Sequence, residues 1–203
     1  NLDVARMNIS PCQECGTCYL DPRPDDEDLA QYYPADYAPF SLPGEDWRGR
    51  WLRWNRRYAA DKLARNATRY AAAPGWALDV GCARGDFLVA LRERGWQVQG
   101  VEVDPAVAAR TEERTGIEVW AGDLFSAALP DERFDLVTFW DVLEHLPDPR
   151  RALQEAARIT RPGGTLVISM PNLHSLQARL FGRYWAGWDV PRHLWLLPRA
   201  AQA

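Results

Sequence analysis

The chain has 203 residues, of which 47% are hydrophobic and 26% are charged, and its formal net charge is −4. This length and composition predict one globular domain with an appendage, and the negative balance argues against recruitment by nucleic acid or by an anionic membrane through overall charge. No apolar run approaches the roughly 18 residues of a membrane span, and residues 1–10 lack the apolar core of a secretory signal. We therefore expect a cytoplasmic protein without a membrane span and without a nucleic-acid partner.

Residues 1–45 form a Cys-containing segment that differs in composition from the rest of the chain. Cys12 and Cys15 belong to a Cys-x-x-Cys-Gly turn, the shape of one zinc knuckle, in which two thiolates and a glycine turn hold a metal. A structural zinc site needs four ligands, and Cys18 and a distant His would have to complete this one. Two interpretations stay open: a zinc site at Cys12 and Cys15, or free thiols that pack as small apolar groups.

Residues 46–73 predict one amphipathic basic helix. Aromatic side chains recur along it on a rough stripe: Trp47, Trp51, Trp54 and Tyr58. From Arg48 to Arg69 there are eight basic residues against one acid, Asp61. Such a face is either a patch for an anionic substrate or nucleic acid, or the solvated side of a helix that covers a sheet, and we favour the second.

The stretch over residues 76–88 predicts a ligand site. A short apolar run at 77–80 carries one acid, Asp79, and then breaks into the turn Gly81-Cys-Ala-Arg-Gly85. Apolar residues resume at helical spacing: Phe87, Leu88 and Leu91. This pattern indicates a buried strand, a tight turn and a helix N-terminus, where the backbone can approach a ligand closely and free N–H groups favour polar or negative atoms.

Strands and helices alternate along the remainder of the chain. Further strands are predicted at residues 97–103, 117–120, 134–140 and 165–170, with helices between them. The alternation predicts an α/β fold, a doubly wound, mostly parallel Rossmann-like sheet of about five strands, in which ligands bind at the carboxyl ends of the strands. Four features fall at such ends: the turn at 81–85, Glu102, Asp123 and Asp141.

The spacing of Glu102 points to a cofactor that contains a ribose. It stands 17 residues after Gly85, where a carboxylate typically accepts both hydroxyl protons of a ribose diol. A nicotinamide dinucleotide and S-adenosylmethionine (SAM) both carry such a group. The dinucleotide site requires Gly-x-Gly-x-x-Gly, whereas this turn has Ala83 between Gly81 and Gly85. The spacing therefore disfavours a pyrophosphate.

The motifs of the chain, taken in order, resemble a known family. Five segments resemble the successive motifs of class I SAM-dependent methyltransferases: residues 78–85, 100–105, 122–123, 134–145 and 161–164. The branch that includes the ubiquinone-type O-methyltransferases is the most similar. The Cys-x-x-Cys-Gly turn and the Trp-rich tail at 185–194 resemble a bacterial subgroup with an N-terminal zinc-ribbon-like segment.

The resemblance implies SAM as the cofactor and assigns site residues by motif. The methionine part would lie against Asp79, Gly81, Cys82, Ala83 and Gly85, the ribose and adenine against Glu102, Val103, Asp123 and Leu124, and the sulfonium near Asp141. Ala83 stands where many members of the family have glycine, and packing explains Cys82 better than chemistry. We do not carry over Asp104, because an N-cap role accounts for it.

Methyl transfer is an in-line displacement, so the main contribution of the protein is to align the acceptor, the methyl group and the leaving sulfur. A general base is needed only where the acceptor must lose a proton. The catalytic candidates are His193, His145 and Asp141, with Glu144 as a partner for His145. The Asn-Pro-Pro-Tyr type of motif of enzymes that methylate nucleic-acid bases is replaced by Trp140-Asp-Val-Leu. We therefore expect a small-molecule acceptor, methylated at oxygen or carbon.

The family sheet has seven strands, and the sequence predicts only five. We therefore expect the final two strands to be missing, which would leave an exposed edge at the fifth strand and favour self-association through it. The predicted domains are the Cys-containing segment 1–45, the helix 46–73 and a SAM-binding core 74–203, which ends in a Trp-rich lid. Two alternatives stay open: a nicotinamide-dependent oxidoreductase, and a non-catalytic fragment that acts as a binding module.

Overall fold

The computed structural model describes residues 7–25, 29, 32–33, 44, 46–71 and 73–198. The chain divides into two compact units. One, here called the tail unit, comprises Asn1–Pro34, Asp141–Pro149 and Ser169–Ala203, and the other, the sheet unit, comprises Ala35–Trp140 and Arg150–Ile168. Whether 1–45, 46–73 and 74–203 fold as separate domains stays a prediction.

The described residues form eight strands and five α-helices. The strands are β1 (Asn8–Pro11), β2 (Cys18–Asp21), β3 (Trp76–Val80), β4 (Gln97–Glu102), β5 (Val119–Ala121), β6 (Phe134–Trp140), β7 (Thr160–Ser169) and β8 (Trp195–Leu196). The helices are α1 (Trp47–Ala67), α2 (Asp86–Arg92), α3 (Pro105–Thr115), α4 (Pro149–Ile159) and α5 (Leu176–Phe181). None of the described helices combines the length and the apolar composition needed to cross a bilayer.

Five strands form a sheet in the order β5-β4-β3-β6-β7, which confirms the predicted α/β architecture. The pairs β3–β4, β3–β6 and β4–β5 are parallel. Val80 at the end of β3 pairs with Val101 on one side and Phe139 on the other, so the carboxyl ends of these strands meet at one edge. The strand order reverses between β3 and β6, and the turn after β3 therefore lies at the topological switch point.

The central strands are buried because helices cover both faces of the sheet. On one side α1 packs with α2 and β3 through small side chains, Ala60, Ala64 and Ala67, none of which is more than 6% exposed. On the same side α2 also packs with α3, in a cluster that joins Leu88 and Ala108. The connection from β6 to β7 runs along the sheet in the opposite direction, so a right-handed crossover places α4 on the other face. The sheet is therefore doubly wound.

Helix α1 covers the sheet, but not with its aromatic stripe. Trp47, Trp51 and Trp54 are each at least 60% exposed, while the alanine face forms the contact with the core. Small side chains allow the helix backbone to approach its neighbours closely, and the tryptophans then fall on the outer side.

The strand β7 begins earlier than predicted. The sequence predicts this strand at 165–170, after a stop at Pro162-Gly-Gly, yet the strand begins at Thr160. A Cβ atom on Gly164 would lie 3.1 Å from the carbonyl oxygen of Phe134, so glycine permits the close approach of β7 to β6 instead of ending the helix. The helix α4 has already ended at Ile159.

The tail unit contains a second, antiparallel sheet in the order β1-β2-β8. The hairpin β1–β2 carries the Cys-containing turn, and Cys18 and Tyr19 of β2 pair with Leu196 and Trp195 of β8. The strand β8, which directly follows the Trp-rich tail at 185–194, thus belongs to the Cys-containing sheet. Among the described residues, the parallel sheet has five strands.

Gly100 in β4 allows the turn after β3 to pack against the sheet. A Cβ atom at this position would lie 2.6 Å from the Sγ atom of Cys82 and 3.1 Å from Cδ1 of Leu88. We expect Gly100→Ala to lower the free energy of unfolding by about 2 kcal/mol, because overpacking forces the turn to shift. Urea denaturation measures this change.

The control is the same substitution in a Cys82→Ala protein, where the thiol is absent. The destabilisation by Gly100→Ala should then fall by about half or more, as expected for two residues in contact. An equal loss of stability in both backgrounds would contradict the steric explanation.

Candidate functional site

The turn after β3 is held in place by backbone hydrogen bonds. The N–H groups of Gly81 and Cys82 both donate to the carbonyl oxygen of Val101, at 2.8 and 3.1 Å. Gly81, Ala83 and Gly85 all have positive φ, at 71°, 45° and 69°. This conformation is uncommon for alanine, and strained backbone tends to occur where a protein binds a ligand.

Helix α3 supports the same turn from the side. The hydroxyl of Thr111, which is 2% exposed, donates to the carbonyl oxygen of Ala83 at 2.7 Å. A Cβ atom on Gly85 would lie 2.9 Å from Cγ2 of Thr111. Thr111 was not predicted from the sequence, where its only local signal is a polar β-branched residue on the apolar side of a helix.

Glu102 closes the site from the end of β4. Its side chain is 3% exposed, and its carboxylate accepts from the N–H of Ala83 at 2.9 Å and from the N–H of Asp104 at 3.1 Å. Burial raises the pKa of Glu102, and the two backbone hydrogen bonds oppose this shift. Each carboxylate oxygen keeps a lone pair, so Glu102 can accept two further hydrogen bonds from the hydroxyl groups of a ligand.

Asp79 is buried beside its neighbouring strand. The residue is 3% exposed and pairs in register with Thr138 of β6, whose hydroxyl donates to Oδ1 at 2.6 Å. Burial raises the pKa of Asp79 to about 7, and the hydrogen bond from Thr138 opposes the rise. Thr138 is a second residue that the sequence analysis missed, because only the strand pairing brings it to Asp79.

The residues predicted to hold the base and the ribose differ in exposure. Val103 is 70% exposed directly after Glu102, whereas Leu124 is 4% exposed. Asp123 is exposed, and its Oδ1 accepts from the N–H of Ser126 at 2.6 Å, which lowers the pKa of Asp123. Val103 thus presents an apolar surface to solvent beside the carboxylate of Glu102.

Cys82 packs in the core. Its side chain is 6% exposed and lies in a cluster with Leu88, Ala108 and Val119. Burial raises the pKa of the thiol, so Cys82 stays neutral. The structure accounts for this side chain by packing, and the predicted contact with a cofactor would have to come from the backbone.

Asp141 follows β6 and belongs to the tail unit, unlike the other predicted cofactor residues. Its φ of 54° lies in the left-handed region, which aspartate tolerates better than most side chains. The N–H of Asp141 donates to the carbonyl oxygen of Ser169 at 3.0 Å, and the hydroxyl of Ser169 donates to Oδ1 at 2.9 Å. These bonds orient the Asp141 carboxylate.

His145 and His193 lie together in the tail unit, with their ring centroids 4.7 Å apart. Nδ1 of His145 is 3.0 Å from the carbonyl oxygen of Arg192 and 2.9 Å from the hydroxyl of Tyr33. Nδ1 of His193 is 2.9 Å from the carbonyl oxygen of Gly187. Burial lowers the pKa of both rings, that of His145 to about 4.

Glu144 is fully buried next to this pair, in the 3-10 helix Leu143–His145. Neither of its carboxylate oxygens has a hydrogen-bond partner among the described residues. Burial raises the pKa of Glu144 to about 8. A buried carboxyl group without partners is costly, so this one calls for an explanation.

The backbone of the turn that carries Cys12 and Cys15 has the conformation of a zinc knuckle. Gly16, with a φ of 72°, donates its N–H to the carbonyl oxygen of Cys12 at 2.9 Å. The sulfur of Cys15 lies 3.2 Å from the hydroxyl oxygen of Thr17, and hydrogen bonds that the hydroxyl and the backbone N–H of Thr17 donate to the thiolate lower the pKa of Cys15. Within the described residues the cysteines are not joined by a third metal-binding side chain, and zinc at Cys12 and Cys15 stays a prediction.

Curated proteins similar to this chain are methyltransferases. The chain is 35% identical over 101 residues to the ubiquinone biosynthesis O-methyltransferase of Pseudomonas entomophila, a match that covers 47% of this chain and 44% of that protein. It is 34% identical over 110 residues to the enzyme of the same name from Methylococcus capsulatus, covering 51% and 46%. The chain thus spans less than half the length of these relatives.

Solved structures agree on the fold. A SAM-dependent methyltransferase from Archaeoglobus fulgidus matches with a TM-score of 0.53 and 27% identity, over 66% of this chain and 63% of that chain. A SAM-dependent methyltransferase from Thermotoga maritima matches with a TM-score of 0.52 and 26% identity, over 68% and 64%.

The family described as "Methyltransferase domain" matches residues 51–201. This range contains the whole five-stranded sheet and both segments that carry the clustered histidines. With the strand order and the turn at the switch point, the match assigns the fold and the family together: the chain belongs to the methyltransferase-domain family.

Proposed function

We propose that this chain binds SAM in the sheet unit and supports transfer of the methyl group to a small-molecule acceptor, at oxygen or carbon. The observation that carries the proposal is the bond from the N–H of Ala83 to the buried carboxylate of Glu102. It joins the turn after β3 to the acid after β4 at the switch point of the sheet, where α/β proteins bind their ligands.

The residues at the end of β4 fit the adenosine part of SAM. Glu102 keeps one lone pair on each oxygen for the two ribose hydroxyls. Val103 is 70% exposed, and an apolar side chain in that place is suited to contact one face of a purine ring. Asp123 uses Oδ1 for Ser126 and keeps Oδ2 for an amino group.

The turn and Asp79 fit the methionine part. Gly81 and Gly85 have positive φ, and because glycine has no Cβ atom, a ligand can approach the backbone of the turn closely. The small side chain of Ala83 adds only one methyl group. Asp79 is a buried carboxyl group with one side-chain hydrogen bond, from Thr138, so a ligand ammonium would stabilise its charged form.

When bound, SAM supplies an electrophilic methyl group on a sulfonium. The protein then contributes alignment, because in-line displacement depends on the position of the acceptor more than on acid–base help. The relatives are named for ubiquinone biosynthesis, and a phenol-like oxygen is one acceptor of the proposed class. Asp141, His145 and His193 stay the candidates for the acceptor side.

The alternatives are weaker. A nicotinamide-dependent oxidoreductase lacks support in the glycine spacing, and the family match over 51–201 argues against it. A purely non-catalytic binding module would leave the arrangement of Glu102, Val103 and the strained turn without a purpose. The cytoplasmic location and the absence of a nucleic-acid partner stay predictions.

The role of Glu102 can be tested by Glu102→Gln. The amide keeps the shape of the side chain but has one acceptor oxygen, so it cannot satisfy two backbone N–H groups and a ribose diol. We expect the affinity for SAM, measured by isothermal titration calorimetry, to fall at least about 10-fold, since charged hydrogen bonds are worth about 1.5–3 kcal/mol.

The matched control is Asp104→Asn, two residues further on. Asp104 accepts from the N–H groups of Ala106 and Val107 as the N-cap of α3, and asparagine caps equally well. Affinity for SAM should change less than about 2-fold. Equal effects of the two substitutions, or no binding of SAM by the unsubstituted chain, would contradict the proposed site.

Asp79 should make stability depend on pH. Its pKa is about 7 in the folded protein against a usual 3.8, so the folded state binds more protons between these values. The stability that Asp79 provides is present below pH 4 and is lost as the pH rises through 7, by an amount on the order of 3 kcal/mol.

The measurement compares urea denaturation of the unsubstituted chain and Asp79→Asn at pH 5 and pH 8. The variant cannot ionise, so its stability relative to the unsubstituted chain should increase between the two pH values. Glu144 titrates in both proteins and cancels in the difference, whereas Glu102, whose charge raises the pKa of Asp79, belongs to the same effect. Parallel changes with pH would show that Asp79 is not buried as a neutral acid.

We also propose that the chain associates with a second copy through the edge strand β7. Leu166 and Ile168 on this strand are 36% and 40% exposed, and an uncovered edge can pair with another strand. Ile168→Lys should weaken concentration-dependent association in sedimentation velocity, whereas Leu176→Lys, outside the sheets, should not. Association unaffected by Ile168→Lys would refute this interface.

A further inference from the structure

We propose that Glu144, His145 and His193 form a binding site for one divalent transition-metal ion in the tail unit. One ligand atom from each of the three residues lies within 4.8 Å of the others. The cluster shares no residue with the cysteine turn or with the cofactor residues proposed in the sheet unit.

The hydrogen bonds of the two histidines leave one nitrogen of each ring free to bind a metal. Nδ1 of His145 faces the carbonyl oxygen of Arg192, and Nδ1 of His193 faces the carbonyl oxygen of Gly187. A carbonyl can only accept, so in both rings we assign the hydrogen to Nδ1 and the lone pair to Nε2. The hydroxyl oxygen of Tyr33, 2.9 Å from Nδ1 of His145, then accepts from the same N–H. Metal-binding histidines almost always have this arrangement, with the second nitrogen donating to a carbonyl or carboxylate.

Glu144 provides the anionic ligand. It is fully buried, and both its oxygens lack a hydrogen-bond partner in the described part of the chain. A metal ion would satisfy the carboxylate that the surrounding protein leaves unsatisfied. This unpartnered group is the observation that distinguishes the cluster from an ordinary pair of packed histidines.

The backbone holds the two segments together beside the ligands. The N–H of Leu194 donates to the carbonyl oxygen of Glu144 at 2.7 Å, and Nε1 of Trp195 donates to the carbonyl oxygen of Leu146 at 3.0 Å. His193 also has the carboxylate of Asp189 3.6 Å from its Nε2, but both oxygens of Asp189 bond to Arg192. The side chain of His193 is 10% exposed, which gives an ion a route to the site.

The ligand set selects the class of ion. Two imidazoles and one carboxylate are the ligands of catalytic zinc sites and of non-haem iron(II) sites, whereas magnesium and calcium prefer oxygen ligands alone. Three protein ligands leave coordination positions open for water or for an oxygen of a small molecule. Bound metal would occupy Nε2 of His193 and His145, so a general base at either residue requires the metal-free state.

The experiment uses the full chain with Cys12→Ser, Cys15→Ser and Cys18→Ser, which removes the other candidate zinc ligands. Metal-free protein is titrated with zinc(II) against a competing chelator, and with cobalt(II) by visible absorption. We expect one equivalent of zinc, and weaker binding of magnesium by several orders of magnitude. Zinc should also raise the thermal midpoint, because it binds only the folded state.

Two substitutions and one control locate the ion. Glu144→Gln and His193→Asn should each lower the zinc affinity at least about 30-fold. Removing a residue that only hydrogen-bonds to a metal ligand already lowers metal affinity about 10- to 100-fold. His174→Asn, at an exposed histidine outside the cluster, should leave it unchanged. If His193→Asn does not fold, Glu144→Gln, which keeps the shape of the side chain, decides the test.

Absence of a zinc equivalent in the triple serine protein would overturn the proposal. So would zinc binding that neither Glu144→Gln nor His193→Asn weakens. Neither result depends on methyl transfer, because the readouts are metal stoichiometry, affinity and thermal shift.

Discussion

The conformation of the turn after β3 depends on the free-energy cost of burying a carboxylate at the end of β4. Glu102 is 3% exposed, and its charge is tolerable there only if hydrogen bonds replace water. The N–H of Ala83 provides one of them, and it can do so because the turn after β3 adopts positive φ. The position of β3 against β4, the conformation of the turn and the burial of Glu102 are therefore one constraint, in which a change to any part disturbs the others.

Small neighbouring residues leave the space that the turn occupies. Gly100 makes room for Cys82, and Gly85 makes room for Thr111, so the turn can lie between the sheet and α3. Close packing leaves little freedom to relax, which explains why small residues stand at both contacts. The turn is thus held in place by packing as well as by hydrogen bonds.

Buried carboxyl groups have hydrogen-bond partners in the sheet unit, whereas one in the tail unit does not, among the described residues. In the sheet unit, Asp79 and Glu102 each have hydrogen-bond donors from neighbouring elements. In the tail unit, Glu144 is equally buried but has no partner among the described residues. A satisfied acid can be explained by structure alone, whereas an unsatisfied one implies a proton or a ligand. The rule therefore singles out Glu144 as the buried carboxyl group that still needs a proton or a ligand.

The family relationship narrows the chemistry without naming the acceptor. The relatives share the segment that forms the sheet, and the chain spans less than half of their length. The residues proposed to bind the cofactor lie at strand ends of the sheet, whose positions the fold determines. We propose that acceptor recognition falls to segments such as the Trp-rich tail, which directly precedes the strand that pairs with the Cys-containing hairpin.

The amino-acid sequence by itself determined the features whose signals are local. Strand β6 was predicted with its observed bounds, and the turn at 81–85 and the acid at 102 were placed at strand ends by short-range hydrophobic patterns. Tertiary structure alone decided which distant residues meet: Thr138 with Asp79, Thr111 with Ala83, and His193 with His145 and Glu144. It also decided that α1 packs with its alanines and not with its tryptophans. A local pattern can show that a residue lies in a strand or helix, but the partner of a buried polar group depends on contacts between segments far apart in the chain.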